Sequence, residues 1–259
     1  MPSVPATLDG LDRRGRLRVL AICSLSLFIV GIDVTAVNLA LPSIRGEFAV
    51  GLSALQWVLD AYTVVLAALL VLSGSVADRV GRKRVFRIGL VVFGLGSLAC
   101  SVAPSIGLLV AARAVQAVGG SMLNPVAMSI ITNTFIEPRE RARAIGVWGA
   151  MFGASMSLGP VVGGGLVDWL GWRSIFWLNV PIVIAALTLT TRYVPESRAS
   201  HPRRLDPAGQ VLIAVGLGAA VFGIIEGENV GWTSPLIIGA FVQPALADLR
   251  LVGRVRGQE

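Results

Sequence analysis

The sequence predicts an all-α membrane protein, with an N-terminal six-helix bundle followed by one or two further spanning helices. Three observations predict it. The 259 residues are 54% hydrophobic and 14% charged, with a mean hydropathy of +0.76, whereas a soluble domain carries roughly a quarter charged residues. Apolar runs of the length needed to cross hydrocarbon, roughly 20 residues, recur along the chain. The cations fall in clusters on alternate connections between those runs, as the excess of Lys and Arg in cytoplasmic loops requires.

The first span is expected near 17–43, behind a cytoplasmic tail at 1–16 that carries Arg13, Arg14 and Arg16. With Arg18 these mimic a signal peptide. The run is too long for a cleavable apolar region, contains Asp33 and Asn38 and lacks a small-x-small site, so it reads as an uncleaved span. Pro42 is read as its end, and the Gly51–Ser53 step opens a second span near 53–76. A turn at Gly81 leads to the third near 85–103, closed by Pro104; the fourth follows near 105–133. Pro138 precedes the fifth, near 142–167, and Gly171-Trp172 the sixth, near 173–192. The bundle at 17–192 ends in the one sizeable polar segment, 193–207, a cytoplasmic linker and domain boundary. A seventh span is expected near 208–226. An eighth apolar stretch near 234–247 is too short to cross, and 248–259 is a basic tail.

One set of connections holds Arg13, Arg14, Arg16 and Arg18, then Arg79, Arg82, Lys83, Arg84 and Arg87, then Arg139, Arg141 and Arg143, then Arg192, Arg198, Arg203 and Arg204. The other set holds only Arg45 and Arg173. That asymmetry places the N-terminus in the cytoplasm. It also removes nucleic acid as a partner despite the net charge of +7, because no aromatic-interleaved basic face exists. Cys23 and Cys100 lie inside apolar runs as packing residues, spaced neither for metal nor for a disulfide framework. His201 is the single histidine, so neither a histidine-based metal site nor a Ser/His/Asp set can be built. No Walker or dinucleotide motif appears, and an enzyme is not expected.

Asp33, Asp60 and Arg113 are charges inside spans. A charge near mid-membrane costs several kcal/mol and is normally both functional and partnered. Helical rise puts all three at a similar depth, about 10–15 Å below the outer surface, so they are expected to form one compensating set facing a cavity. A carboxylate beside arginine stays charged, and one that loses its arginine in a dry site takes up a proton. The set therefore suits proton coupling; the other reading is a structural ion pair that locks the bundle. Gln116 and Asn124 extend the polar stripe of the fourth span.

The loop from Gly74 to Arg84 combines a small residue for helix approach, Asp78 to cap or pair, a turn at Gly81, and Arg79 and Arg82 to hold it at the anionic leaflet. The fifth span runs from Gly153 through Gly159-Pro160 to Gly163, Gly164 and Gly165. Small residues allow backbone packing and proline removes a hydrogen bond, so simple packing and bending are equally open.

These segments together resemble the major facilitator superfamily, and within it the drug:proton antiporters with fourteen spanning segments. Gly31-Ile-Asp33-Val-Thr35-Ala-Val-Asn38-Leu-Ala-Leu-Pro42 is similar to the first-span motif of that group. Gly74–Arg84 resembles the loop motif between spans two and three, and Leu109 to Gly120 the fourth-span motif around Arg113. Gly153–Gly165 is similar to the antiporter motif, Trp172 to Pro181 to the opening of the sixth span, and Leu205 to Trp232 to the seventh span of the fourteen-span group. The resemblance implies proton-driven efflux by alternating access between two six-helix bundles in the plasma (inner) membrane, with the proton gradient as energy source and no cofactor. It implies proton coupling by Asp33 and Arg113, with Asp60 the further acid, and cytoplasmic gating by Asp78 and Arg82. It implies bending at Gly159-Pro160 and hydrophobic or cationic substrates. Asn38, Gln116, Asn124 and Glu226 are the candidate substrate contacts.

Such a transporter would be about twice this length, and the sequence after Gln243 departs from the pattern, so a truncated, non-autonomous fragment is expected. The alternatives are a half-transporter active as a dimer and a membrane sensor that binds ligand without moving it. Its partners are the lipid bilayer, a small substrate, and either a missing C-terminal half or a second copy.

Overall fold

The computed structural model describes residues 11–199 and 207–242. Seven helices follow one another: α1 (Arg13–Phe48), α2 (Leu52–Val80), α3 (Arg82–Ser101), α4 (Ile106–Thr134), α5 (Pro138–Leu170), α6 (Arg173–Tyr193) and α7 (Pro207–Val230). All seven are long and apolar enough to cross a membrane, and in lipid a helix is the element that satisfies its own backbone. There is no strand among the described residues. The expected basic tail at 248–259 lies outside them. Residues 235–242 are helical, and the remainder of the eighth stretch is likewise outside.

Helix ends are set by local chemistry. Asp12 Oδ1 accepts from the Gly15 N–H at 2.8 Å and starts α1, four residues before its expected start. The Glu137 carboxylate accepts from the N–H groups of Arg139 and Glu140 and starts α5. Those two donors hold its carboxyl below the usual carboxylate range. Gly81, at φ 127°, is the whole connection between α2 and α3, a conformation that side-chain-bearing residues rarely adopt. The expected stop at Pro42 is not one: α1 runs through it to Phe48 and ends on Ala49 in the left-handed region. Pro125, Pro160 and Pro181 likewise sit inside α4, α5 and α6. In a bundle, groups on neighbouring helices and local backbone adjustment can re-satisfy the carbonyl a proline frees, so proline is tolerated inside membrane helices.

α1 lies at the centre against α5, α6 and α4; α3 packs on α4 and α6, and α2 on α4 and α7. Two apolar clusters fill the interior. One spans Val19 to Val30 of α1 with Phe86, Leu90 and Phe93 of α3 and Leu123 to Ile131 of α4. The other joins Ile32 to Ile44 of α1 with Leu55, Val58, Leu109 and Phe176. Asp33 and Arg113 lie at the waist between the two.

Of the expected linker at 193–207, residues 200–206 lie outside the described residues. Val194 to Ala199 folds back on the start of α3. Glu196 accepts from the N–H groups of Lys83 at 3.0 Å and Arg84 at 3.2 Å, Arg82 N–H donates to the Ser197 carbonyl, and Ala199 N–H to the Asp78 carbonyl. Lys83 Nζ adds a bond to the Thr191 carbonyl. At the opposite end Glu47 takes both terminal nitrogens of Arg173 at 2.7 Å and the indole N–H of Trp172 at 2.8 Å, tying α1 to α6.

Candidate functional site

Asp33 and Arg113 meet at the waist. Arg113 Nη1 donates to Asp33 Oδ2 at 2.6 Å, and both residues are sealed, Asp33 0% and Arg113 1% exposed. A dry ion pair is costly unless its remaining polar atoms are bonded, and here Gln116 of α4 and groups from three other helices, α2, α3 and α6, complete the network. Gln116, one turn along α4 from Arg113, accepts from Arg113 Nη1 at 2.8 Å and donates through Nε2 to Asp33 Oδ1 at 2.8 Å. Asn179 of α6 donates to the same Oδ1 at 2.8 Å. Ser97 of α3 accepts from Gln116 at 2.8 Å and from Asn179 at 3.2 Å. Arg113 Nε donates to the Val58 carbonyl of α2, and the guanidinium lies 4.2 Å from the centre of the Tyr62 ring, within reach of a cation–π attraction. The Tyr62 hydroxyl is buried and has no partner among the described residues.

Glycine makes this convergence possible. A Cβ on Gly96 would stand 2.5 Å from Gln116 Cα, closer than atoms pack, so α3 touches the α4 backbone at that point. Ser97 is thereby brought to Gln116.

The expected three-charge set is a pair in this structure. Asp60 is half-buried on α2 and makes no hydrogen bond or ion pair among the described residues. It precedes Tyr62, whose ring stacks on Arg113, by two positions, and so sits on another side of α2. Where a cavity-facing set was expected, the pair is sealed inside the bundle formed by the described residues. Asn179 and Ser97 were missed as site residues. A polar residue in an apolar run was the available signal for both, and it is a weak one.

The other candidates are dispersed. Asp78 Oδ1 accepts from Arg82 Nε at 3.1 Å and Nη2 at 2.8 Å, an i,i+4 pair at the α2–α3 turn. Arg79 lies beside it and Gly81 forms the turn. Gly74 was expected to allow close helix approach, but a Cβ there would meet only Pro125 at an ordinary 3.7 Å. In α5, a Cβ on Gly159 would run into the Thr35 side chain and one on Gly163 would come within 2.9 Å of Ala36 Cα, so both face α1 closely. Gly153, Gly164 and Gly165 have nothing within 4 Å among the described residues. They do not share in that packing, because the helical period turns them to the other side of α5; Pro160 is exposed there too. Asn38 is exposed and donates to the Val34 carbonyl; Asn124 has a buried Oδ1 without a partner among the described residues. Glu226 accepts from Ser53 at 2.8 Å, Trp57 at 2.9 Å and Asn229 at 3.1 Å, which fastens α7 to α2. No cluster fit to hold a metal occurs among the described residues.

The family model of the Major Facilitator Superfamily matches residues 23–248. The chain belongs to the major facilitator superfamily. It is 42% identical over 221 residues to the multidrug resistance protein Stp of Mycobacterium tuberculosis, covering 85% of this chain and 41% of that one. It is 39% identical to the puromycin resistance protein pur8 of Streptomyces alboniger, covering 93% of this chain and 48% of that one. A methylenomycin A resistance protein of Streptomyces coelicolor is 42% identical over 81% of this chain. The chain spans less than half the length of these relatives. Among solved structures, the fold matches a POT peptide transporter in complex with sulfate, with TM-score 0.63 at 18% identity over 98% of this chain and 52% of that one. It also matches a bacterial homologue of the human lysosomal transporter Spinster, inward-facing and unoccupied, with TM-score 0.57 at 21% identity. The chain is a multi-pass membrane protein with the superfamily's fold.

Proposed function

We propose that this chain forms the N-terminal bundle of a proton-coupled exporter of hydrophobic or cationic compounds, in the fourteen-span group, with its N-terminus in the cytoplasm of a bacterial plasma membrane. The observation that carries the reading is the sealed Asp33–Arg113 pair held by Gln116, Asn179 and Ser97. While Arg113 is in place, Asp33 is charged and bonded. A substrate-linked shift that withdraws the guanidinium leaves a buried carboxylate without a counter-charge, and taking up a proton is the cheapest way to neutralise it. Re-forming the pair returns the proton. The resistance proteins among its relatives support the substrate class, and the basic clusters support the orientation.

The open side of α5, where Gly153 and Gly164 meet nothing, is where a second bundle would pack. That bundle is a C-terminal half or a second copy of this chain. Reconstituted vesicles holding the 259-residue chain, with ethidium as the cationic probe, separate these readings. Dye-driven proton flux abolished by Asp33→Asn supports coupling through a second copy. Dye binding without flux supports a bundle that needs its other half, or a sensor. Flux that persists in Asp33→Asn contradicts the coupling role.

A further inference from the structure

We propose that the cleft between the start of α1, the end of α4 and the start of α5 is a binding site for the phosphate headgroup of an anionic phospholipid. The cleft holds about 190 Å³. Arg13, Arg16 and Arg143 rim it, and Leu17, Phe135 and Val147 are among its apolar walls. The charge is under-compensated. Glu140 pairs with Arg16 at 2.6 Å, while Arg13 and Arg143 make no hydrogen bond or ion pair among the described residues. Arg16 is partly committed: its guanidinium lies 5.9 Å from the centre of the Phe135 ring, and its buried Nε has no acceptor.

Arg143 has the Glu137 carboxylate within electrostatic reach but forms no ion pair with it. A donor that is buried and unsatisfied beside Arg13 and Arg143 is matched by an acceptor-rich anion, and phosphate oxygens fit the arginine fork. The apolar walls argue for a lipid over a free ion. Leu17 and Val147 are each 51% exposed, directly beside the cations, an arrangement that suits a headgroup with the glycerol and acyl chains leaving across the apolar side. The cleft opens at the helix ends, the level of lipid headgroups, on the side where the cations cluster.

The test is native mass spectrometry of the full 259-residue chain released from mixed phosphatidylglycerol and phosphatidylethanolamine micelles. The wild type is expected to retain phosphatidylglycerol selectively. Arg13→Gln and Arg143→Gln should each weaken retention by about fivefold, the worth of one cation near an anionic surface. Glu140→Gln removes the competing carboxylate and should tighten it, an opposite-signed result that misfolding cannot imitate. Arg45→Gln, at the far end of α1, should change nothing. Equal retention of both lipids, retention unchanged in the Arg13→Gln/Arg143→Gln double variant, or an equal loss with Arg45→Gln would overturn the proposal. Displacement of the lipid by millimolar inorganic phosphate would overturn it too, leaving a plain anion site.

Discussion

At the scale of single residues, the waste of burying a charge is what makes Asp33 and Arg113 informative. Each would be expelled from an apolar interior on its own, and together they persist because every oxygen of Asp33 is bonded. Asp33→Asn should therefore destabilise the chain by about 3–5 kcal/mol, the usual cost of leaving one buried partner uncompensated. Denaturant unfolding in detergent measures this. The double variant Asp33→Asn/Arg113→Gln should cost clearly less than the sum of the two single changes, since the pair then leaves together. Strict additivity would mean that the two side chains do not depend on each other.

At the scale of elements, two contacts decide how helices sit. Gly159 lets α5 lie on Thr35 of α1, and Gly159→Leu forces the two apart at about 1–3 kcal/mol for overpacking; a lower unfolding midpoint, with loss of any transport the chain supports, checks it. Glu196 caps the start of α3 from the segment after α6. Glu196→Ala should cost about 1 kcal/mol, as loss of a capping carboxylate does, and speed proteolysis between residues 194 and 199. The spans were legible because each is an uninterrupted apolar run of the right length, and Arg113 because a charge in such a run is rare. Ser97 and Asn179 were not, since small polar side chains occur in many membrane helices and only the α3–α4 approach at Gly96 gives them a common target. Gly153 and Gly159 read alike in the sequence; which one is packed depends on where α1 lies.

At the scale of the whole molecule, the basic clusters lie at one end and the Glu47–Arg173 tie at the other. Both native cysteines are buried and unpaired, so single introduced cysteines can be labelled without background. Arg45→Cys is expected to react with an impermeant maleimide from outside intact cells and Arg141→Cys only after lysis. The reverse pattern would invert the topology. Asp60 shows the limit of depth arguments at this scale: it shares a level with the pair but not a side of its helix, and level alone was what the sequence offered.

Infrared difference spectroscopy of the carboxyl C=O stretch, recorded on the purified chain at neutral pH, tests most directly whether Arg113 is what keeps Asp33 charged. The wild type should show no protonated-carboxyl band from Asp33. Arg113→Ala should show one, and it should vanish in Asp33→Asn/Arg113→Ala. An Arg113→Ala spectrum indistinguishable from that double variant would mean that Asp33 stays ionised without its arginine, and the proton-coupling account would be wrong.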